Sequence, residues 1–239
     1  MAYQEEWAGL FLRGENPMDN KKVISVLGGM GAASTAHFFN LLVEHQQKLG
    51  CVQDEDFNKS VIYNTALTDW DNTGFVNALS VKEQLISEIK KLENFGCDII
   101  GIPCNTVHYF YQEMQDSIDV PIVNMVKETA QRVIEAKIKT VGLVCSRSTR
   151  ELGVYDHYLS GIEIIYNMDQ SAIDEIILNV QAGRHQNKGL IELSRIVNSL
   201  IDSGAEAVII GCTELSIPLQ NSKLPLFDSS KILVESLFK

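Results

Sequence analysis

Twice in this 239-residue chain a glycine stands eight residues ahead of a cysteine, with a short apolar run between them. The first copy is Gly96-Cys97-Asp98-Ile99-Ile100 leading to Cys104. The second is Gly204-Ala205-Glu206-Ala207-Val208 leading to Cys212. A glycine that stops a helix, followed by such a run, marks the passage from a helix into a buried strand. The duplication reaches further. Lys22-Val23 and Lys139-Thr140 open comparable first strands, and Pro121-Ile122-Val123-Asn124 and Pro225-Leu226-Phe227-Asp228 close comparable last ones. Strands alternate with helices between these landmarks, which implies parallel sheets with right-handed crossovers. The expected fold class is α/β: two pseudo-symmetric open α/β domains with mainly parallel sheets and an active-site cleft between them. Residues 18–123 are read as the first domain, 124–226 as the second and 1–17 as an appendage.

The coarse reading of elements follows hydrophobic periodicity. Strands are expected at residues 23–27, 60–63, 97–103, 121–123, 140–144, 162–166, 207–210 and 224–227. A helix over 32–48 is expected to bury Ala36, Phe39, Leu42 and Val43, and one over 81–95 to bury Leu85, Ile89 and Leu92. Further helices are expected at 107–116, 149–159, 171–182 and 190–203, with a loop over 64–74.

Composition excludes several classes of function. Thirty-one acidic residues against 20 basic ones give a formal net charge of −11. Such a chain has no overall attraction to nucleic acid or anionic lipid, so an anion must be held by a local, shaped site. The five cysteines form no CxxC pair, and His37, His45, His157 and His185 have no metal-ligand spacing, so no metal site is expected. The patch Trp7 to Leu12 follows Glu5 and Glu6 rather than a basic segment, which reads against a signal peptide. Free thiols then suit a cytoplasmic location.

In open α/β sheets, ligands bind beyond the carboxyl ends of the strands, where Cys104 and Cys212 both fall. Cys51, Cys97 and Cys145 are read instead as small buried hydrophobes. Asn105 and Thr106 follow one thiol and Thr213 the other, and each can start a helix. Helix starts offer free N–H groups that hold a carboxylate, and they can lower a thiol pKa. Two opposed thiols suit racemisation: one takes the α-proton and the other returns a proton on the far face. No cofactor is needed. His108, four residues after Cys104, is a candidate to tune that thiol, and Glu214 is either a base behind Cys212 or a helix-start acid. Gly28-Gly29-Met30-Gly31 reads as a tight strand-to-helix turn. It fails as a dinucleotide fingerprint because Ser34 stands where a third glycine is needed.

At these motifs the chain resembles the aspartate/glutamate racemase family, and within it the aspartate racemase branch. The matching segments are Leu27-Gly28-Gly29-Met30-Gly31, Pro103-Cys104-Asn105-Thr106-Val107-His108, Gly211-Cys212-Thr213-Glu214 and the stretch from Thr149 to Tyr155. The resemblance implies a cofactor-independent racemase with Cys104 and Cys212 as its acid/base thiols. It implies that Asn105, Thr106, Thr149 and Thr213 hold the substrate, and Met30 and Glu214 are counted with them. It also implies a homodimer acting on a small amino acid, and a C-terminal segment, 227–239, that returns to the first domain. One departure stands out. Trp70 and Gln181 occupy the positions where members acting on aspartate carry an Arg and a Lys, with Arg147 and Arg184 as candidate substitutes. The rival readings are a dicarboxylate cis–trans isomerase on the same scaffold and a non-catalytic amino-acid-binding protein.

Overall fold

The computed structural model describes residues 21–71, 74–184, 187–219 and 222–239. The appendage expected at 1–17 lies outside the described residues. The first run of elements is β1 (Ile24–Gly28), α1 (Ala32–Lys48), β2 (Ser60–Asn64), β3 (Trp70–Asp71), β4 (Gly74–Phe75), α2 (Ala78–Glu93) and β5 (Ile99–Gly101). A 3-10 turn (Thr106–Phe110), α3 (Tyr111–Gln115), β6 (Ile122–Val123) and α4 (Met125–Glu135) complete it. The second run is β7 (Thr140–Cys145), α5 (Arg147–Glu151), β8 (Glu163–Tyr166), α6 (Gln170–Gln181) and α7 (Asn187–Asp202). It ends with β9 (Ala207–Gly211), α8 (Thr213–Leu219), β10 (Leu226–Asp228) and α9 (Ser229–Leu237).

Two four-stranded sheets result, ordered β2-β1-β5-β6 and β10-β9-β7-β8. All their pairings are parallel. Exchanging β1, β2, β5 and β6 for β7, β8, β9 and β10 turns one order into the other, so the duplication read from sequence is a duplication of topology.

Strand alternation divides each sheet between two layers of helix. Leu27 and Ile100 pack with Val81, Leu85, Ile89 and Leu92 of α2. On the other face, Ile24 and Val26 meet Phe38 and Leu42 of α1, but also Leu233, Val234 and Leu237 of α9. The second sheet packs Val144, Val208 and Ile210 against α6 and α7. Its other face packs Val141, Leu143 and Ile209 against Val126, Ala130 and Val133 of α4. Each sheet's last strand therefore feeds a helix that packs on the other sheet. Both helices start on a side-chain cap: Asn124 accepts from the Lys127 N–H at 2.9 Å, and Asp228 from the Ser230 N–H at 3.0 Å. The exchanged helices also touch each other, through Arg132 to Glu235 at 2.6 Å and Ser236 to Glu128 at 2.8 Å.

Several expectations are corrected. In α1 the buried face is Ser34, Thr35, Phe38, Leu41, Leu42 and Gln46, while Ala36 and Phe39 are exposed. The sequence phase misled because two of the buried residues are polar and hydrogen-bonded. Thr35 Oγ1 donates to the Gly31 carbonyl at 2.9 Å, and Gln46 Nε2 to the Leu42 carbonyl at 3.2 Å. The helix expected at 149–159 is only α5, after which the chain turns at Gly153 with φ 58°. The helix expected at 107–116 is a 3-10 turn followed by α3. Within the loop expected at 64–74, β3 and β4 pair antiparallel, Trp70 opposite Phe75. Helix α4, for which no element was expected, is heralded by Asn124 and by apolar Val126, Ala130 and Val133 at helical spacing. No helix among the described residues is long and apolar enough to cross a membrane.

Leu233 is fully buried between the exchanged helix and the first sheet. Leu233→Ala should cost about 2–5 kcal/mol of stability, read as a lower urea midpoint. A change within experimental error would show that α9 contributes little to holding the first sheet.

Candidate active site

The two duplicated strands deliver the two thiols to one place. β5 runs into Ile102, Pro103 and Cys104, and β9 runs directly into Cys212. Both thiols are buried and line the same small cavity, of about 20 Å³, which is room for about one water. Met30, Asn105, Thr213 and Glu214 also line it, as expected, and so do Trp70, Gly74, Ser146 and Gln181. Thr106 and Thr149 are not among its lining residues, although the Thr106 hydroxyl and N–H lie within hydrogen-bond reach of Cys104. Thr106 Oγ1 lies 2.7 Å from Thr149 Oγ1 and 3.1 Å from Ser146 Oγ, and the last two are 3.0 Å apart. These hydroxyls join the end of the first sheet to the start of α5. A much larger groove, about 880 Å³, lies along α6 and α7 and includes neither thiol.

Glu214 is the best-anchored side chain here. Its Oε1 accepts from the Gly31 N–H at 3.1 Å and from Gln181 Nε2 at 3.2 Å. Its Oε2 accepts from Cys212 Sγ at 3.1 Å and from Thr213 Oγ1 at 3.3 Å. The carboxylate thus ties the glycine turn after β1 to α6 and to the second thiol. It is in direct hydrogen-bond contact with Cys212 and also stands in the first turn of α8.

The thiol electrostatics differ from the sequence expectation. Burial pushes Cys104 up to about 12, the Glu214 charge adds to that, and the Thr106 and Val107 N–H groups offset it only in part. Burial, then the Glu214 charge and hydrogen bond, push Cys212 well above the usual thiol range. The helix-start N–H groups are present, but desolvation of a buried thiolate outweighs them.

His108 does not touch the Cys104 thiol. Its Nε2 accepts from the Met125 N–H at 3.1 Å, so the proton sits on Nδ1 and is donated to the Cys104 carbonyl at 2.8 Å. Burial lowers its pKa, which keeps the ring neutral. It fixes the backbone of the thiol strand to the start of α4. Asn105 is held similarly. Its Oδ1 accepts from the Tyr155 hydroxyl at 2.6 Å, and its Nδ2 donates to Ser229 Oγ at 3.1 Å. Ser229 in turn donates to the Ile210 carbonyl at 2.7 Å, two residues before Cys212. Sequence reasoning missed Ser146, Tyr155 and Ser229. The first can be recognised as a strand-end helix cap, Tyr155 closes the stretch from Thr149 that carries part of the family resemblance, and Ser229 has no local signal.

The hairpin of β3 and β4 covers the cavity. Gly74 has φ 141°, and a Cβ there would collide with the Ser148 side chain of α5, so the position admits only glycine. Arg147 and Arg184 do not line the cavity: the first pairs with Asp174 at 2.7 Å, and the second donates to Asn179 Oδ1 at 3.3 Å. Among the described residues, no three or more His, Cys, Asp or Glu side chains are grouped to hold a metal ion.

Comparisons with known proteins bear on the family and the fold. A family model described as Asp/Glu/Hydantoin racemase matches residues 27–237. The broad specificity amino-acid racemase RacX of Bacillus subtilis (strain 168) is 29% identical over 220 residues, covering 90% of this chain and 96% of that protein. An aspartate racemase from Picrophilus torridus superposes with a TM-score of 0.79 at 25% identity, covering 90% of this chain and 92% of that one. An aspartate racemase homologue from Pyrococcus horikoshii OT3 gives 0.73 at 25% identity, with 90% and 97% covered.

Two alterations test the packing of the site. Tyr155→Phe removes one oxygen and leaves Asn105 Oδ1 buried without that donor. Stability should fall by about 1–3 kcal/mol in urea unfolding; an unchanged midpoint would mean the bond is absent in solution. Burial raises the pKa of Cys104 and Cys145 to about 12 in the folded chain. A thiol in an unfolded chain releases its proton from about pH 8.5. Folding stability should therefore fall as pH rises from about 8.5 toward 12, measured by urea midpoints at pH 8 and pH 10.5.

Proposed function

The chain belongs to the Asp/Glu/Hydantoin racemase family, and on that premise we propose that it interconverts the L and D forms of an amino acid by proton transfer between Cys104 and Cys212. The observation that carries this reading is that both buried thiols line one cavity, one of them hydrogen-bonded to a carboxylate. Family membership favours racemisation over the dicarboxylate isomerase and over a binding protein.

In the proposed cycle the proton of Cys212 passes to Glu214 Oε2, and the Cys212 thiolate takes the α-proton. The electron pair of the broken C–H bond moves toward the substrate carboxylate. Cys104 then gives its proton to the other face of Cα. The opposite enantiomer leaves with Cys104 as thiolate, Cys212 as thiol and Glu214 protonated; Glu214 gives its proton to solvent and Cys104 takes one back, which resets the site, and the reverse reaction starts from the other thiol. A buried, high-pKa thiolate is costly to form but is a strong base, which suits a weakly acidic C–H bond. N–H groups at Asn105, Thr106 and Thr213 hold the carboxylate as charge builds on it. Met30 shapes the space beside the thiols, and Thr149 acts through Thr106 and Ser146. A cavity with room for one water must widen to admit an amino acid.

The proposal includes independence from pyridoxal phosphate, since both proton-transfer groups belong to the chain. It also includes a cytoplasmic homodimer, and a first unit of residues 18–123 joined by 227–239 against a second of 124–226, which the packing of α9 on the first sheet supports.

Cys104→Ser and Cys212→Ser should each lower racemisation by about 10²–10⁴-fold, followed by circular dichroism of the amino acid; full activity in either would overturn the two-thiol mechanism. In the wild type, kcat/KM should change little between pH 7 and pH 8.5, because passing the Cys212 proton to Glu214 leaves the number of protons on the site unchanged. Glu214→Gln should lose most of its activity at pH 7 and recover part of it toward pH 9.5, where hydroxide removes the thiol proton. A deficit independent of pH would assign Glu214 to substrate binding rather than to proton transfer.

A further inference from the structure

The cavity wall beside the thiols narrows the substrate class. Trp70 forms part of it and is held edge-on to Phe75, with ring centroids 5.4 Å apart; Phe75 in turn lies 5.1 Å from Phe110. Phe110 ends the 3-10 turn that starts two residues past Cys104, so this aromatic wall is built in register with the thiol. Gln181 supplies an uncharged amide on the same cavity, and Met30 an apolar thioether.

Among the described residues lining the cavity, the charged group is Glu214. A second carboxylate on the substrate would share a buried, low-dielectric space with it, where like charges repel strongly. A cationic side chain gains little from it either. A carboxylate has about four lone-pair sites, and Gly31, Gln181, Cys212 and Thr213 already donate to this one.

We propose that the amino acid taken by this site carries an uncharged side chain, packed against Trp70 and Met30 and within reach of the Gln181 amide. The inference rests on the racemase reading above and specifies its substrate.

The test is α-proton exchange in D2O, followed by proton NMR on the wild-type full chain. The panel is methionine, leucine, glutamine and homoserine against aspartate, glutamate, lysine and arginine. The best uncharged substrate should exceed every charged one in kcat/KM by about ten-fold or more. A charged amino acid exchanging as fast as the best uncharged one would overturn the inference and leave racemisation standing. No exchange with any member would overturn both. The double variant Trp70→Arg/Gln181→Lys, checked for folding by far-UV circular dichroism, should raise the aspartate-to-uncharged ratio of kcat/KM by about ten-fold. An unchanged ratio in the folded variant would show that this wall does not select the side chain.

Discussion

The exchange of α4 and α9 is the constraint on which the other features depend. A parallel sheet must be covered on both faces, and here each sheet borrows part of its cover from the chain that leaves the other. Val126, Ala130 and Val133 of α4 seal the second sheet, and Leu233, Val234 and Leu237 of α9 seal the first. Neither sheet has its full cover without the other. The strand ends after β5 and β9 are thereby brought to one cavity, and the two thiols meet there without any covalent or metal link.

Once the strand ends share a cavity, burial controls the chemistry. Helix-start N–H groups favour thiolate, but removing a thiol from water disfavours it more, so both cysteines are pushed upward. The Glu214 carboxylate adds to that push; it is in hydrogen-bond contact with Cys212 and locked by three further donors. The same carboxylate links Gly31 to Gln181, so the group that touches the Cys212 thiol also holds the two halves together across the cavity. Asn105 shows the same economy, since its bonds to Tyr155 and Ser229 join three distant parts of the chain.

Much of this was legible beforehand. The duplicated glycine-to-cysteine spacing identified both buried strands and both thiols, because strand ends and helix stops are local properties. Asn124 and Asp228 sit at matched places in the repeat, although no helix was expected after either, and they start the two exchanged helices. Other features were illegible for a definite reason. The buried face of α1 includes Thr35 and Gln46, whose burial depends on hydrogen bonds that no hydrophobic pattern records. Tyr155 and Ser229 matter through partners 50 and 124 residues from Asn105, a separation at which sequence carries no pairing signal.

The sequence by itself determined the α/β class, the twofold repeat, and the position of each cysteine at a strand end, since these follow from periodicity and from glycine stops. Tertiary structure decided what surrounds the thiols. It placed Trp70 and Gln181 on the cavity and turned Arg147 and Arg184 elsewhere. It also brought the Glu214 carboxylate against the Cys212 thiol and raised both thiol pKa values rather than lowering them. The reason is that ionisation and charge complementarity depend on burial and on groups distant along the chain, and only the packing of the two sheets defines those.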